Sequence, residues 1–421
     1  MRRWLVVLAL CAAPADAAIS YVRAGRVLDV TTGRVANDRL IRIDGERIVS
    51  VTPWTSTPAD GPVTDWSGYT VLPGLIDMHT HLSDWGQTSN VAEPLLHSAA
   101  EIALVGAANA RATLRAGFTS VHDVGCYRGL GDVALRDAIA AGRVPGPRMS
   151  VVGAYITTPG GGGEVTGLAP DVVVPADMRL GVASGPDEVR RKVDFLFQHH
   201  VDGIKLIATG AVLAEGTEPG MMELSEAEMR AAVDAAARHG GWVTAHAHGA
   251  EGIKAAIRAG VRGIEHASLI DDEGIALAKA RGVFLDMDIW NGDYIETVGR
   301  REGWTPAMLR KNRETTDAQR AGFAKALKAG VTLTYGTDAG VYPHGENARQ
   351  FATMVRFGMT PLQAIVSATV SAAAALGWSK DVGQVTAGRY ADMVAVAGDP
   401  LRDIRILERP AAVIKGGVVV Q

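Results

Sequence analysis

From Gly74 onward the chain repeats one unit: a short apolar run, a loop, and an Ala-rich stretch of helical period closed by glycine. Arg115-Ala116-Gly117, Ala141-Gly142, His239-Gly240, Ala259-Gly260, Arg281-Gly282 and Ala329-Gly330 each place glycine where a helix ends in a left-handed cap. Strand-like runs accompany them: Gly74 to His79, Phe118 to Val124, Arg148 to Ala154, Gly203 to Ile207, Trp242 to His246, Gly263 to His266, Val283 to Met287 and Val331 to Gly336. One predicted helix opens with Ser225 and Glu228 as a capping box, followed by Met229, Ala232, Val233 and Ala236 on one face. Eight strand–helix units in roughly 300 residues predict an α/β fold, a (β/α)8 TIM barrel. A doubly wound open sheet shares this alternation, but no G-x-G-x-x-G opens a helix here.

The ends follow a different period. Residues 18–72 read as short strands with turns, including Asp44-Gly45 between Leu40-Ile41-Arg42-Ile43 and Arg47-Ile48-Val49. Residues 383–421 hold similar pieces, Ala391 to Val396 and Ala412 to Val420. Neither end can build a core alone, so the two are expected to form one small discontinuous β-sandwich domain flanking a barrel over residues 73–382.

At the very start, Arg2 and Arg3 precede an apolar run, Trp4 to Ala13, and Ala15-Asp16-Ala17 offers an A-x-A cleavage site. Residues 1–17 thus predict a signal peptide, and a periplasmic or secreted protein. The apolar run is about half of what a membrane span needs, and Leu10 before Cys11 is too bulky for a lipoprotein cleavage site, so no membrane anchor is expected. Cleavage leaves Cys126 as the one cysteine, which excludes an internal disulfide. The 421 residues carry 42 Lys+Arg against 46 Asp+Glu, with 47% hydrophobic residues. That balance excludes a disordered chain and gives no basic surface for nucleic acid.

Histidine is sparse, 11 in all, so its placement carries information. His79 and His81 form H-x-H at the end of the first barrel strand, where alternation turns both side chains to one face, a geometry for chelating a metal. His246 ends strand five, His266 ends strand six, Asp338 follows strand eight, and Lys205 sits in strand four. All lie toward the C-terminal strand ends, the face on which barrel enzymes keep their active sites. A lone strand-end histidine is usually a satisfied polar group and a strand lysine can reach solvent; the combination at five strand ends points to a metal site.

These residues sit in motifs that resemble the amidohydrolase superfamily, in particular the metal-dependent group of Xaa-Pro, Xaa-Arg and Xaa-Lys dipeptidases, imidazolonepropionase-like proteins and ochratoxin-degrading amidohydrolases. The motifs are Val71-Leu-Pro-Gly-Leu-Ile-Asp-Met-His-Thr-His81, Gly203-Ile-Lys-Leu-Ile-Ala-Thr-Gly210, Thr244-Ala-His-Ala-His-Gly249, Gly263-Ile-Glu-His-Ala-Ser268 and Tyr335-Gly-Thr-Asp-Ala-Gly-Val-Tyr-Pro-His-Gly345. The resemblance implies two divalent ions, zinc as first choice. His79, His81 and Asp338 would hold one, His246 and His266 the other, and a carbon dioxide-derived carbamate on Lys205 would bridge them. It implies hydrolysis by a metal-bridging hydroxide with Asp338 and Lys205 as the catalytic pair, acting on the amide bond of dipeptides or N-acyl amino acids, ochratoxin-type amides included. A homo-oligomer, up to an octamer, is also implied. Cyclic amides or lactones are the alternative substrates, and a non-catalytic metal-binding protein is the lesser one.

Further pocket candidates follow from position. His248 lies two residues beyond His246, His344 falls in the loop after Asp338, and His122 ends strand two where the resemblance leads one to expect arginine. Tyr155 opens the long Gly-rich loop after strand three, and Trp290, Asn291 and Tyr294 follow strand seven. That loop, Thr157-Thr-Pro-Gly-Gly-Gly-Gly-Glu164 onward, is expected to cover the substrate.

Overall fold

A computed structural model describes residues 19–58 and 60–421; the predicted signal peptide lies outside the described residues. Four strands come first: β1 (Ile19–Leu28), β2 (Val35–Asp44), β3 (Arg47–Pro53) and β4 (Val63–Pro73). Next are β5 (Leu75–Thr80), β6 (Phe118–Asp123), β7 (Arg148–Val151), β8 (Tyr155–Ile156), β9 (Ile204–Ile207), β10 (Val243–Ala247), β11 (Gly263–His266), β12 (Phe284–Asp286) and β13 (Leu333–Thr334), alternating with helices. The chain ends with β14 (Met393–Val396), β15 (Ala412–Lys415) and β16 (Val418–Val419).

The terminal segments share one seven-stranded sheet, ordered β16-β15-β14-β4-β1-β2-β3. The sequence predicts a sandwich; hydrogen bonding instead joins the two ends edge to edge, with Val394 of β14 opposite Leu72 of β4. Val22, Ile41, Trp66, Val71, Met393 and Ile414 share the buried face of this sheet, so each end supplies what the other lacks. The β2–β3 turn is Gly45-Glu46, one residue later than the pattern suggests, because Asp44 pairs with Arg47 and Gly45 takes the positive φ of 56°.

Strands β5-β6-β7 and β8-β9-β10-β11-β12-β13 form two parallel sheets. Met78 N donates to Tyr335 O at 2.7 Å, and Thr80 bridges Ala339, so β5 is hydrogen-bonded to the chain around β13. Predicted strand three ends early, as β7 at Val151, and a separate short strand β8 follows at Tyr155, where the sequence reading expects a loop. Gly153 at φ +80° redirects the chain, and Val152 N and Gly153 N both donate to Asp132 Oδ2. The helix Glu226–Arg238 begins with the predicted capping box. It buries Met229, Ala232 and Ala236 as its periodicity predicts, while Val233 stays partly buried. Among the described residues no helix is long and apolar enough to cross a membrane.

Candidate metal centre

Asp77 ties the first strand to the loop after β13. Its buried carboxylate accepts from His79 N, Thr337 N, Thr337 Oγ1 and Asn347 Nδ2; burial pushes its pKa up to about 7 against these four bonds, which favour the anion. Asp338 follows with φ of +56° and donates its N–H to His79 O at 2.8 Å. A non-glycine residue in the left-handed region is held there by its surroundings. The result places Asp338 Oδ1 3.3 Å from His79 Nε2 and 3.2 Å from His81 Nε2.

His266 is the second such residue, at φ +66°, with Ala267 at +49° donating to Ala247 O. The bend turns the imidazole toward its neighbours on β5, on β10 and just past β10, with ring centroids 5.0 Å from His79, 4.5 Å from His246 and 4.6 Å from His248. Among the described residues, two groups have ligand atoms within 4.8 Å of one another: His79, His266 and Asp338, and His246, His248 and His266.

The outward nitrogens of His81, His248 and His266 are engaged, as metal-ligating histidines require, while His79 Nδ1 is buried without a hydrogen-bond partner. His81 Nδ1 contacts Gly125 O at 2.9 Å and the Tyr155 hydroxyl at 3.0 Å. His248 Nδ1 meets Ser268 Oγ at 2.8 Å, and His266 Nδ1 meets Asp288 Oδ1 at 2.9 Å. Burial, aided by neighbouring cationic groups, holds His79, His246 and His248 well below the usual imidazole range, so they present neutral nitrogens. Against the pull of burial, the charge and hydrogen bond of Asp288 raise His266, and His81 is the sharper contrast. Burial opposes its charge, but the hydrogen bond and charge of Asp338 raise it to about 9; a cation at that position would take the place of the proton. The donor types, the neutral rings of His79, His246 and His248, and the outer hydrogen bonds of His81, His248 and His266 fit divalent metal.

Lys205, 1% exposed, lies in the cavity wall with these histidines, and its Nζ is 3.4 Å from Glu265 Oε2. The cavity, about 210 Å³, is also lined by Tyr155, His248, Asn291, Trp85, Tyr127 and Arg128. Gly162 to Thr166 of the Gly-rich loop form part of its wall. They are pinned by Gly162 N to Glu223, Gly163 N to Thr157 and the Glu164–Arg179 ion pair.

Four sequence candidates lie elsewhere. His344 packs behind the first strand, its Nε2 3.2 Å from His81 O and Nδ1 3.4 Å from Thr113 Oγ1, and is not in the cavity wall. His122 is buried against Trp242, with Nδ1 facing Ser150 O, also outside that wall. Trp290 and Tyr294 turn away from the metal-ligand cluster, into a separate surface hollow with Pro343 and Arg349. For His344, Trp290 and Tyr294, strand alternation cannot say which side chains turn inward once the strand has ended; His122 lies within β6, where the ring packs on Trp242 instead of reaching the cavity. Asp288, Gln319 and Ser268 escaped the sequence reading. Gln319 Nε2 donates to Asp288 Oδ1 at 3.0 Å from the long helix Pro306–Ala329. A signal existed for Asp288: it repeats Asp286 at the strand period, just past β12.

The amidohydrolase family profile matches residues 70–420. Ochratoxinase of Aspergillus niger is 32% identical over 369 residues, spanning 82% of this chain and 75% of that protein. A solved Xaa-Pro dipeptidase with methionine bound in its active site superposes with a TM-score of 0.88 at 35% identity, covering 96% of this chain and 99% of the other. Imidazolonepropionase of Chromobacterium violaceum is 25% identical over 406 residues, covering 86% of each chain. The chain belongs to the amidohydrolase family, metal-dependent hydrolases that act on C–N bonds of small molecules.

Proposed function

We propose that this protein is a binuclear metal-dependent amidohydrolase that releases an amino acid from a dipeptide or N-acyl amino acid. The observation that carries the reading is the double role open to Asp338. Its Oδ1 faces His79 and His81 Nε2, while its Oδ2 is held 3.1 Å from Asn291 Nδ2, on the cavity wall. His79, His81 and Asp338 would hold one ion, and His246 and His266 the other, with His248 adding a donor to the second group. Lys205, carboxylated, would bridge them. Bound zinc ions would polarise the substrate carbonyl and acidify water.

Asp338 is oriented to take the proton of the attacking water and return it to the leaving nitrogen, without which an amine is a poor leaving group. The largely buried wall around it lowers the local polarity and strengthens these interactions. The reading extends to a closed (β/α)8 barrel over residues 73–382, export directed by residues 1–17, and a homo-oligomer.

The direct test is amino-acid release by the zinc-loaded mature protein from a library of dipeptides and N-acyl amino acids, with a chelated control. Metal-dependent release is expected. No release from any member, with zinc bound, would overturn the reading in favour of cyclic amides and lactones.

A further inference from the structure

An apolar wall meets the polar one inside the active-site cavity. Val91, Val212, Leu213, Ile295, Met308 and Val341 pack in one hydrophobic cluster, and all of them also line the cavity. Ile295 and Met308 are buried, whereas Val91, Val212, Leu213 and Val341 keep accessible surface. Val341 N donates to Asp338 O at 3.1 Å, so the wall begins beside that carboxylate's own backbone. Apolar surface left facing water in a concave site is a place where an apolar group of the substrate gains free energy by covering it.

Val212 and Leu213 sit on the segment 211–217, which is neither strand nor helix. Its shape is set from outside, by Lys311 on the helix Pro306–Ala329. Lys311 is 1% exposed, and its Nζ donates to Ala211 O at 2.9 Å, to Thr217 O at 3.2 Å and to Ala214 O. An ammonium has as many hydrogens as there are carbonyls here, so Lys311 holds the segment and has no donor left for a substrate. Thr217 Oγ1 accepts from Ala211 N at 3.1 Å and closes the segment on itself. Glu215, whose side chain shares the wall, is bonded to Thr305 Oγ1. Burying an ammonium is costly, and what this one secures is a stretch of cavity wall. We propose that the apolar wall is a subsite for a large apolar side chain of the substrate, with Lys311 as the positioning residue that keeps Val212 and Leu213 in it. The proposal rests on the amide-hydrolysing reading above and adds the side chain that the site selects.

The test measures kcat/KM of the zinc-loaded protein for Gly-Gly, Leu-Gly and Gly-Leu. At one of the two positions leucine is expected to gain about 10- to 100-fold over glycine, the range that burial of such a side chain supplies. In folded Leu213→Asp, with the milder Leu213→Ala beside it, that gain is expected to collapse, because a carboxylate keeps the wall hydrated. Lys311→Ala is expected to lose much of the gain and to recover it on addition of propylammonium, which replaces the missing chain and charge; a general loss of stability would not respond in this way. A second readout needs no turnover: of acetohydroxamate and its analogues with isobutyl on carbon or on nitrogen, one isobutyl form is expected to show a calorimetric Kd lower by about tenfold or more. No gain from leucine at either position, or a gain that Leu213→Asp leaves intact, would overturn the proposal and leave the amidase reading standing. A full leucine gain in Lys311→Ala would remove Lys311 from its positioning role. No amino-acid release, with an isobutyl hydroxamate bound more tightly than its parent, would overturn the amidase reading and keep the subsite; no release and equal Kd values would overturn both.

Discussion

Replacing Asp288 with Asn probes how much of the metal centre is held from outside the ligand set. Asp288 accepts three hydrogen bonds: His266 Nδ1 at 2.9 Å and Gln319 Nε2 at 3.0 Å on Oδ1, and Asn291 Nδ2 at 2.7 Å on Oδ2. The substituted amide can still accept on the Oδ1 side. On the other side its NH2 meets the NH2 of Asn291, so one donor loses its partner. Turning Asn291 over would relieve that clash only by presenting its carbonyl to Asp338 Oδ2. One buried donor without a partner costs about 1–3 kcal/mol. The lost charge behind His266 lowers its basicity as a ligand, and outer partners of this kind are worth about 10- to 100-fold in metal affinity. Zinc affinity by competition with a chromophoric chelator is therefore expected to fall by at least tenfold, and the melting temperature of the metal-free protein to fall as well. Unchanged affinity in a folded Asp288→Asn protein would refute the claim that Asp288 braces the site.

Asp338→Asn keeps the shape but loses the proton acceptor; kcat is expected to fall by about 100-fold or more, with circular dichroism unchanged, and near-normal turnover would remove Asp338 from its role. Lys205→Ala is expected to reduce bound zinc from two equivalents toward one by elemental analysis and to abolish most activity; full activity would sink the two-metal mechanism. The metal-free protein is expected to lose stability in acid through two histidines held neutral by burial, His122 at about 3 and His344 at about 4. The unfolded chain binds those protons below about pH 6.5. Stability from these two is thus full above that value and falls as pH drops, by about 1.4 kcal/mol per pH unit for each histidine until pH passes its folded value, about 4 for His344 and about 3 for His122. Urea midpoints against pH measure this slope, and His122→Phe leaving it unchanged would contradict the account. Tyr155→Phe removes the hydroxyl between His81 Nδ1 and Asp84 Oδ2 but leaves the Gly125 carbonyl on that ring. Its loss of zinc affinity is expected to be smaller than that of Asp288→Asn; a larger loss would show that the hydroxyl, not the carbonyl, orients His81.

Local pattern alone was enough to locate the strands, the glycine-capped helices and the histidines at strand ends, because alternation, helical period and cap geometry are properties of a few consecutive residues. His79, His81, His246 and His266 follow from that logic, since each lies in a strand or at its end, where the facing direction is determined. Where the backbone leaves the strand, the logic stops. The left-handed turns at His266 and Asp338, the break at Gly153 that carries Tyr155 to His81, and the outward placement of His344 and Trp290 depend on contacts between distant segments. So do the partners of Asp288, which come from strand six, the loop after strand seven and the long helix that follows it. The terminal segments make the same point on a larger scale: each reads as strands, yet only the pairing of Val394 with Leu72 decides that they become one sheet. Hydrogen bonds along the chain are written locally, while those between elements form only when burial of apolar surface brings the elements together.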